Sequence, residues 1–250
     1  MTALSWAYVV FFYLAMLILF IGLARKIIQY ARTPAPLKIP TTPAPVTTIG
    51  VVWRMATEVV MFNSLFKASK WTWIFGWLFH AALLLAFFRH LRYVISPDVI
   101  FWPLVNNWLV LNAGKYGAFA MLIGLIGLFG RRVFVDRVRY ISSPSDYFML
   151  LLILAIAISG MLMSFANPVD IVQLKGFVTG LFTLHYLPLP TDGVLLTHLS
   201  LVLCLMVIFP ISKLLHAPGI FFSPTRNQVD NPREHRHIAA WARQLETGKS

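Results

Sequence analysis

The sequence predicts an all-α membrane protein of five transmembrane helices, with its amino terminus outside and its carboxyl terminus in the cytoplasm. Three observations carry this. Of 250 residues, 58% are hydrophobic and only 12% are charged, with mean hydropathy +0.74; a soluble domain usually carries about 25% charged residues. Five stretches nearly free of charge approach or reach the roughly 20 residues that cross a bilayer. The 21 Lys and Arg residues are distributed very unevenly around those stretches. So few charges could not cover a soluble protein of this size. The net charge of +12 therefore belongs where the chain leaves the bilayer and argues poorly for nucleic-acid binding.

The first span is Leu4–Ala24, closed by Arg25 and Lys26. It lacks a basic stretch before it and a small-residue cleavage site after it, so a retained helix is expected rather than a signal peptide. Residues Thr33–Pro45 are proline-rich and read as a stiff, extended linker. The next segment, Val51–Phe66, is apolar but carries Arg54 and Glu58, with Lys67 following. It is too charged to span, and either lies along the cytoplasmic interface or packs on a cytoplasmic partner. Linker and interfacial helix together occupy 31–70.

Span two, Trp71–Phe88 within 71–92, is interrupted only by His80 and closed by Arg89-His90. Trp71, Trp73 and Trp77 at its inner mouth suit an aromatic belt. Span three, Tyr116–Gly130 within 112–130, lies between Lys115 and Arg131-Arg132. Its Gly117, Gly124, Gly127 and Gly130, with Gly160 of span four, permit either close helix packing or approach of a flat cofactor. Span four is Tyr147–Val169, followed by a long outer connection over 170–192. Span five, Gly193–Ser212 within 193–216, leads to a basic tail over 218–250. Cys204, the only cysteine, reads as a buried apolar thiol and excludes a disulfide or a cysteine-ligated cluster within this chain. The membrane domain thus covers residues 1–217.

Five spans put the termini on opposite sides, and basic residues decide which side is which. Seven lie in residues 25–70, four in 131–139 and six from Lys213 onward; only Arg89, Arg92, Lys115 and Lys175 fall on the other side. The richer side is the cytoplasm.

Ionisable side chains are costly in hydrocarbon and normally face the bundle interior to serve a purpose. Four of the seven histidines lie in or at the ends of two spans: His80 and His90 on span two, His198 and His216 on span five. These spans run in opposite directions, so His80 should face His216 toward the cytoplasm and His90 should face His198 toward the outside. Two such pairs at two depths are what two bis-imidazole haems b require, with no coordination position left for substrate. The match is imperfect. Ten residues give a rise of about 15 Å and leave His80 and His90 about 80° apart, whereas eighteen give about 27 Å. Pro210 should kink span five between its histidines. No CxxCH exists, which excludes covalent haem. The competing use of a membrane histidine is a hydrogen bond between helices. His185, His235 and His237 have no such pairing.

The spacing His80-x9-His90, followed by His198 and Phe-Pro-Ile-Ser-Lys-Leu-Leu-His216, resembles the cytochrome b (gamma) subunit of respiratory nitrate reductase over about residues 1–217. The tail Gly-Ile-Phe-Phe-Ser-Pro-Thr-Arg-Asn-Gln228, with the linker and its following segment, resembles one branch of that family more closely. That branch is the DsrM-type membrane cytochromes of the DsrMKJOP complex of dissimilatory sulfur metabolism. The resemblance implies a multi-pass protein of the cytoplasmic membrane that holds two haems b and exchanges electrons with a quinone, menaquinone or ubiquinone. It implies a cytoplasmic iron–sulfur partner similar to heterodisulfide reductase (DsrK-like), and further partners of the DsrJ, DsrO and DsrP kinds. The chain would be an electron-transfer subunit of a membrane oxidoreductase, with no catalysis at the haem irons. Lys115 and Arg92 are candidates for hydrogen-bonding a quinone carbonyl, the competing reading being that both snorkel. Alternative functions are the nitrate reductase gamma subunit itself and a haem-free anchor for cytoplasmic subunits.

Overall fold

The computed structural model describes every residue except 36–37, 232–237, 239 and 247–250. Arg233, Arg236, Lys249, His235 and His237 therefore lie outside the described residues, among which the chain is helical with no strand. The five helices long and apolar enough to cross a membrane are the five expected from hydropathy. Large apolar side chains such as Phe11, Leu17 and Phe20 project outward from the first of them, as a lipid environment allows.

Helix α1 runs Ala3–Arg32 and carries the basic pair Arg25-Lys26 well inside the helix. After the extended linker come α2 (Thr48–Met61) and α3 (Asn63–Ala68). The single interfacial helix expected over 51–66 is in fact these two, joined at Phe62, whose backbone is left-handed (φ 51°). α4 (Lys70–Leu91) is span two. A short α5 (Trp102–Val105) precedes α6 (Trp108–Phe134), and α7 (Asp136–Tyr140) links it to α8 (Pro144–Phe165). α6 is longer than the uncharged run suggested: Asn107 caps it by accepting from the Val110 N–H at 2.9 Å. Lys115 thus sits two turns into the helix.

The connection over 170–192 is not irregular throughout. It contains α9 (Ile171–Thr183), capped by Asp170, which accepts from the N–H groups of Val172 and Gln173. α9 packs Phe177 and Leu181 on Val9 of α1, and the same cluster holds Leu189 and Leu195. The last span, α10, covers only Gly193–Ile208. Its cap, Asp192, accepts from the Leu195 N–H at 2.9 Å and from Asn167 at 2.8 Å. The Leu195 bond is the largest influence and holds its carboxyl below the ordinary carboxylate range; desolvation opposes it, and the Asn167 bond adds to the lowering.

Span five does not continue to His216. Beyond Ile208 the chain turns through two 3-10 segments, Phe209–Ile211 and Lys213–Leu215, with Ser212 extended between them. His216 opens the four-residue α11 (His216–Gly219), a further 3-10 turn covers Ile220–Phe222, and α12 (Ala240–Glu246) lies in the tail. Pro210 causes the break: it has no N–H to donate, and its ring opposes a continuing helix. Where a kinked span running over 193–216 was expected, the helix ends at Ile208 and turns carry the chain on to His216.

α4 packs along α6, α6 along α8, α8 along α10, and α10 along α1. Small residues set the closest approach. A Cβ at Gly124 would lie 2.8 Å from the Phe75 carbonyl and 2.9 Å from Phe79 Cβ, and one at Gly127 would collide with the Phe75 ring. These two glycines serve helix packing against α4; Gly130 meets only Phe134 of its own helix, and Gly117 only looser contacts at 4.0 Å. The core between α4, α6 and α8 is Phe79, Ala82, Met121, Leu125 and Ala157. Cys204 is half-buried rather than enclosed.

One end of the bundle, with Arg25, Arg132 and Lys213, is termed the basic end. Here the linker meets the tail: Thr41 N–H donates to the Thr225 carbonyl at 2.9 Å, and Asp230 N–H to that of Pro45 at 2.9 Å. Glu58 of α2 bonds the Ser64 hydroxyl and faces Arg226 at 3.4 Å. Trp73 and Trp77, expected to form an interface belt, instead donate their indole N–H groups to the carbonyls of Met61 and Val60 at 2.6 and 3.1 Å, whereas Trp71 is exposed as a belt residue would be.

Candidate haem-binding site

α4 and α10 are not among the closely packed helix pairs, and the four histidines approach one another across the gap between them. At the basic end His80 of α4 lies with its ring centroid 6.0 Å from that of His216, the planes crossing at 83°. At the opposite end His90 and His198 stand 6.4 Å apart and nearly parallel, at 13°. The pairing is the one that antiparallel spans require.

The separations permit a test of fit. Metal–imidazole bonds of about 2 Å, added to about 1.1 Å from each ring centre to its nitrogen, would put the centroids of two imidazoles holding one iron up to about 6.2 Å apart. Both observed separations lie close to that value. The break after Ile208 explains how: His216 is brought level with His80 by a turn of chain rather than by a straight rise, which removes the mismatch of helical distances.

The ring nitrogens are equally ordered. His80 Nδ1 lies 2.7 Å from the Gly76 carbonyl, His90 Nδ1 2.6 Å from that of Ala86, and His216 Nδ1 2.9 Å from that of Lys213. A carbonyl only accepts, so Nδ1 carries the proton and donates in each case. Each ring then presents Nε2 with its lone pair, which is how ligating histidines are usually held. His198 achieves the same with Ser159, whose Oγ lies 2.9 Å from its Nδ1.

Aromatic groups surround the basic-end pair. Phe79 and Phe62 meet the His80 ring edge-on at 4.8 and 5.0 Å, so the left-handed elbow between α2 and α3 delivers a ring to the site. A buried carboxylate also serves this end. Asp146, in the first turn of α8, accepts from Lys213 Nζ at 2.7 Å and from the N–H and hydroxyl of Ser143, and faces Arg132 at 3.6 Å. Lys213 is the residue whose carbonyl holds His216. Pro210 is pressed on α1, where a Cβ at Gly22 would lie 2.5 Å from its Cβ.

Beside the other pair, Tyr93 lies 6.1 Å from His90, and a Cβ at Gly114 of α6 would lie 3.0 Å from Arg89 Cβ. Lys115 is thereby brought near the level of His90, yet its ammonium rests over the rings of Phe165 at 4.8 Å and Tyr116 at 5.9 Å. Arg92 forms the cap of α4, its N–H bonded to the His90 carbonyl. Neither is drawn into a contact with a histidine ring. His185 lies in the loop after α9, where its backbone N–H donates to the Gly180 carbonyl at 3.1 Å. Ser159, Asp146 and Phe62 escaped sequence reasoning. Only Asp146 had a usable signal, an acid at the mouth of an apolar span.

A family model described as nitrate reductase gamma subunit matches residues 38–237. The chain is 32% identical, over 92% of its length and 81% of the relative's, to an Hdr-like menaquinol oxidoreductase cytochrome b-like subunit of Archaeoglobus fulgidus. It is 30% identical to the protein of that description in Archaeoglobus profundus, over 92% and 80% of the two chains. Similarity to the nitrate reductase gamma chain of Bacillus subtilis, at 33% identity, covers 40% of this chain and 45% of that one.

Proposed function

Because the chain belongs to the nitrate reductase gamma subunit family, we propose that it is a dihaem cytochrome b that carries electrons between menaquinol and a cytoplasmic iron–sulfur partner. The observation that supports this best is the geometry of the two histidine pairs. Each stands at a separation at which its two rings could hold one iron, and each ring has Nδ1 engaged and Nε2 available.

In this reading His80 and His216 hold the haem nearer the cytoplasm, and His90 and His198 hold the outer one. A bis-imidazole haem supplies one-electron transfer with no open position for substrate. The protein's part is to fix ring orientation and tautomer, exclude water with the α4–α6–α8 core, and seat the broken end of span five. The amino terminus is outside and the basic end faces the cytoplasm of a cell whose cytoplasmic membrane holds the chain. Quinol chemistry belongs at the outer end, where Lys115 and Arg92 are the candidate hydrogen-bond donors. Similarity over almost the whole chain to the two Hdr-like proteins, against less than half for the nitrate reductase chain, favours the branch with a heterodisulfide-reductase-like (DsrK-like) partner. Subunits of the DsrJ, DsrO and DsrP kinds and a role in dissimilatory sulfur metabolism accompany that assignment. The linker–tail layer at the basic end offers the partner a folded surface.

The test is a reduced-minus-oxidised spectrum of the complex purified from membranes, with menaquinol analogue as reductant. Two low-spin haems b per chain, both reducible by quinol, are expected. A chain that retains its subunits but shows no haem b bands would leave the anchor reading in its place.

A further inference from the structure

Three of the four paired histidines are secured by the carbonyl of a residue three or four positions earlier in their own segment. His198 is the exception. Its Nδ1 meets Ser159 Oγ at 2.9 Å, across 39 residues and from a different helix, α8. Both groups are buried, Ser159 at 6% and His198 at 9% exposure. The hydroxyl also lies 2.8 Å from the Ala155 carbonyl and 3.0 Å from that of Ile156. Its one proton is therefore donated to backbone, and its oxygen is left to accept from His198 Nδ1–H.

The next residue completes the arrangement. A Cβ at Gly160 would stand 3.3 Å from His198 Cε1 and 3.8 Å from Nδ1. α8 thus presents the imidazole with an acceptor and, beside it, a space that an alanine methyl would crowd. Gly160 was a candidate for cofactor approach; what it meets is the histidine itself.

We propose that Ser159 and Gly160 form a positioning seat for His198, which fixes its tautomer and ring rotation and so sets the reduction potential of the outer haem independently of the inner one. This rests on His198 being a haem ligand. A hydrogen-bond acceptor on the far nitrogen makes an imidazole a more basic ligand, and a more basic ligand favours the oxidised iron. Without Ser159 Oγ the outer potential rises. The Ser–His bond also couples α8 directly to α10 at this histidine.

The experiment is a redox titration with low-temperature EPR on the intact complex carrying Ser159→Ala, Ser159→Thr or Gly160→Ala. Ser159→Ala should retain both haems and shift the oxidised-to-reduced ratio of one of them about tenfold, or 59 mV upward for a one-electron couple, with the other unchanged. Ser159→Thr, which keeps the hydroxyl, should return the potential toward the wild-type value. Gly160→Ala leaves the acceptor but crowds the ring, and should move the EPR signal of that same haem. Unchanged potentials and signals in both alanine variants, or equal shifts of both haems, would overturn the seat while leaving the ligand assignment standing. A His198→Ala complex that keeps both haems would overturn the ligand assignment and the seat with it.

Discussion

Asp146 shows what single residues contribute here. Its carboxylate is 3% exposed and gathers Lys213, Ser143 and Arg132, and Lys213 offers its carbonyl to His216 Nδ1–H. Asp146→Ala should release the turn that carries His216 and weaken occupancy of the basic-end haem selectively. The cost in stability should fall below the about 3–5 kcal/mol of breaking a fully buried pair, because the Lys213 side chain is 69% exposed. Haem content by pyridine haemochrome, with EPR to show which haem is lost, checks this; equal loss of both would point to general unfolding. Among residues, the four histidines were legible because a titratable group in an apolar run needs a reason to be there. Ser159 was not, since a serine in a span is cheap and ordinary, and its partner is 39 residues away. Phe62 was hidden for another reason: a left-handed phenylalanine has no sequence signature.

At the scale of elements, the decisive feature is the end of span five at Ile208. Pro210 was readable as a kink, but not as a conversion to 3-10 turns that moves His216 into register with His80. Pro210→Ala should let α10 extend past 208, turn His216 away and remove the basic-end haem, while His90 and His198, seated elsewhere, keep theirs. Visible spectroscopy and haem quantification on the purified variant decide it, and retention of two haems with unchanged spectra would contradict the role given to the break. The five spans were legible from hydropathy, although their ends were not. Charged residues enter helices freely at the membrane edge, so Arg25 and Lys26 in α1 and Arg131 and Arg132 in α6 lie inside helices that uncharged runs exclude. The helix over Ile171–Thr183 was not read within the outer connection, because at 13 residues it is too short to announce itself as a span. α2 and α3 were legible as one amphipathic segment. That it is docked by the Trp73 and Trp77 indoles was not, because an interfacial tryptophan ordinarily finds water or headgroups.

The whole molecule places α4 and α10 across a gap, with α6 and α8 closing one side and α1 lying against α10. Glycines at 124 and 127 draw α6 onto α4, which is how helices associate where lipid offers no hydrophobic drive. The gap keeps one histidine pair at each end. The span count pairs those histidines, since spans two and five are antiparallel and only antiparallel spans match His80 with His216 and His90 with His198; charge asymmetry then tells which pair lies toward the cytoplasm. The central claim is that these pairs hold two separate haems. It is tested most directly by spectra and EPR of the intact complex carrying, one at a time, His80→Ala, His216→Ala, His90→Ala and His198→Ala. His80→Ala and His216→Ala should abolish one and the same haem signal, and His90→Ala and His198→Ala the other. Loss of a shared signal in His80→Ala and His198→Ala, or retention of both haems in any of the four, would contradict the account.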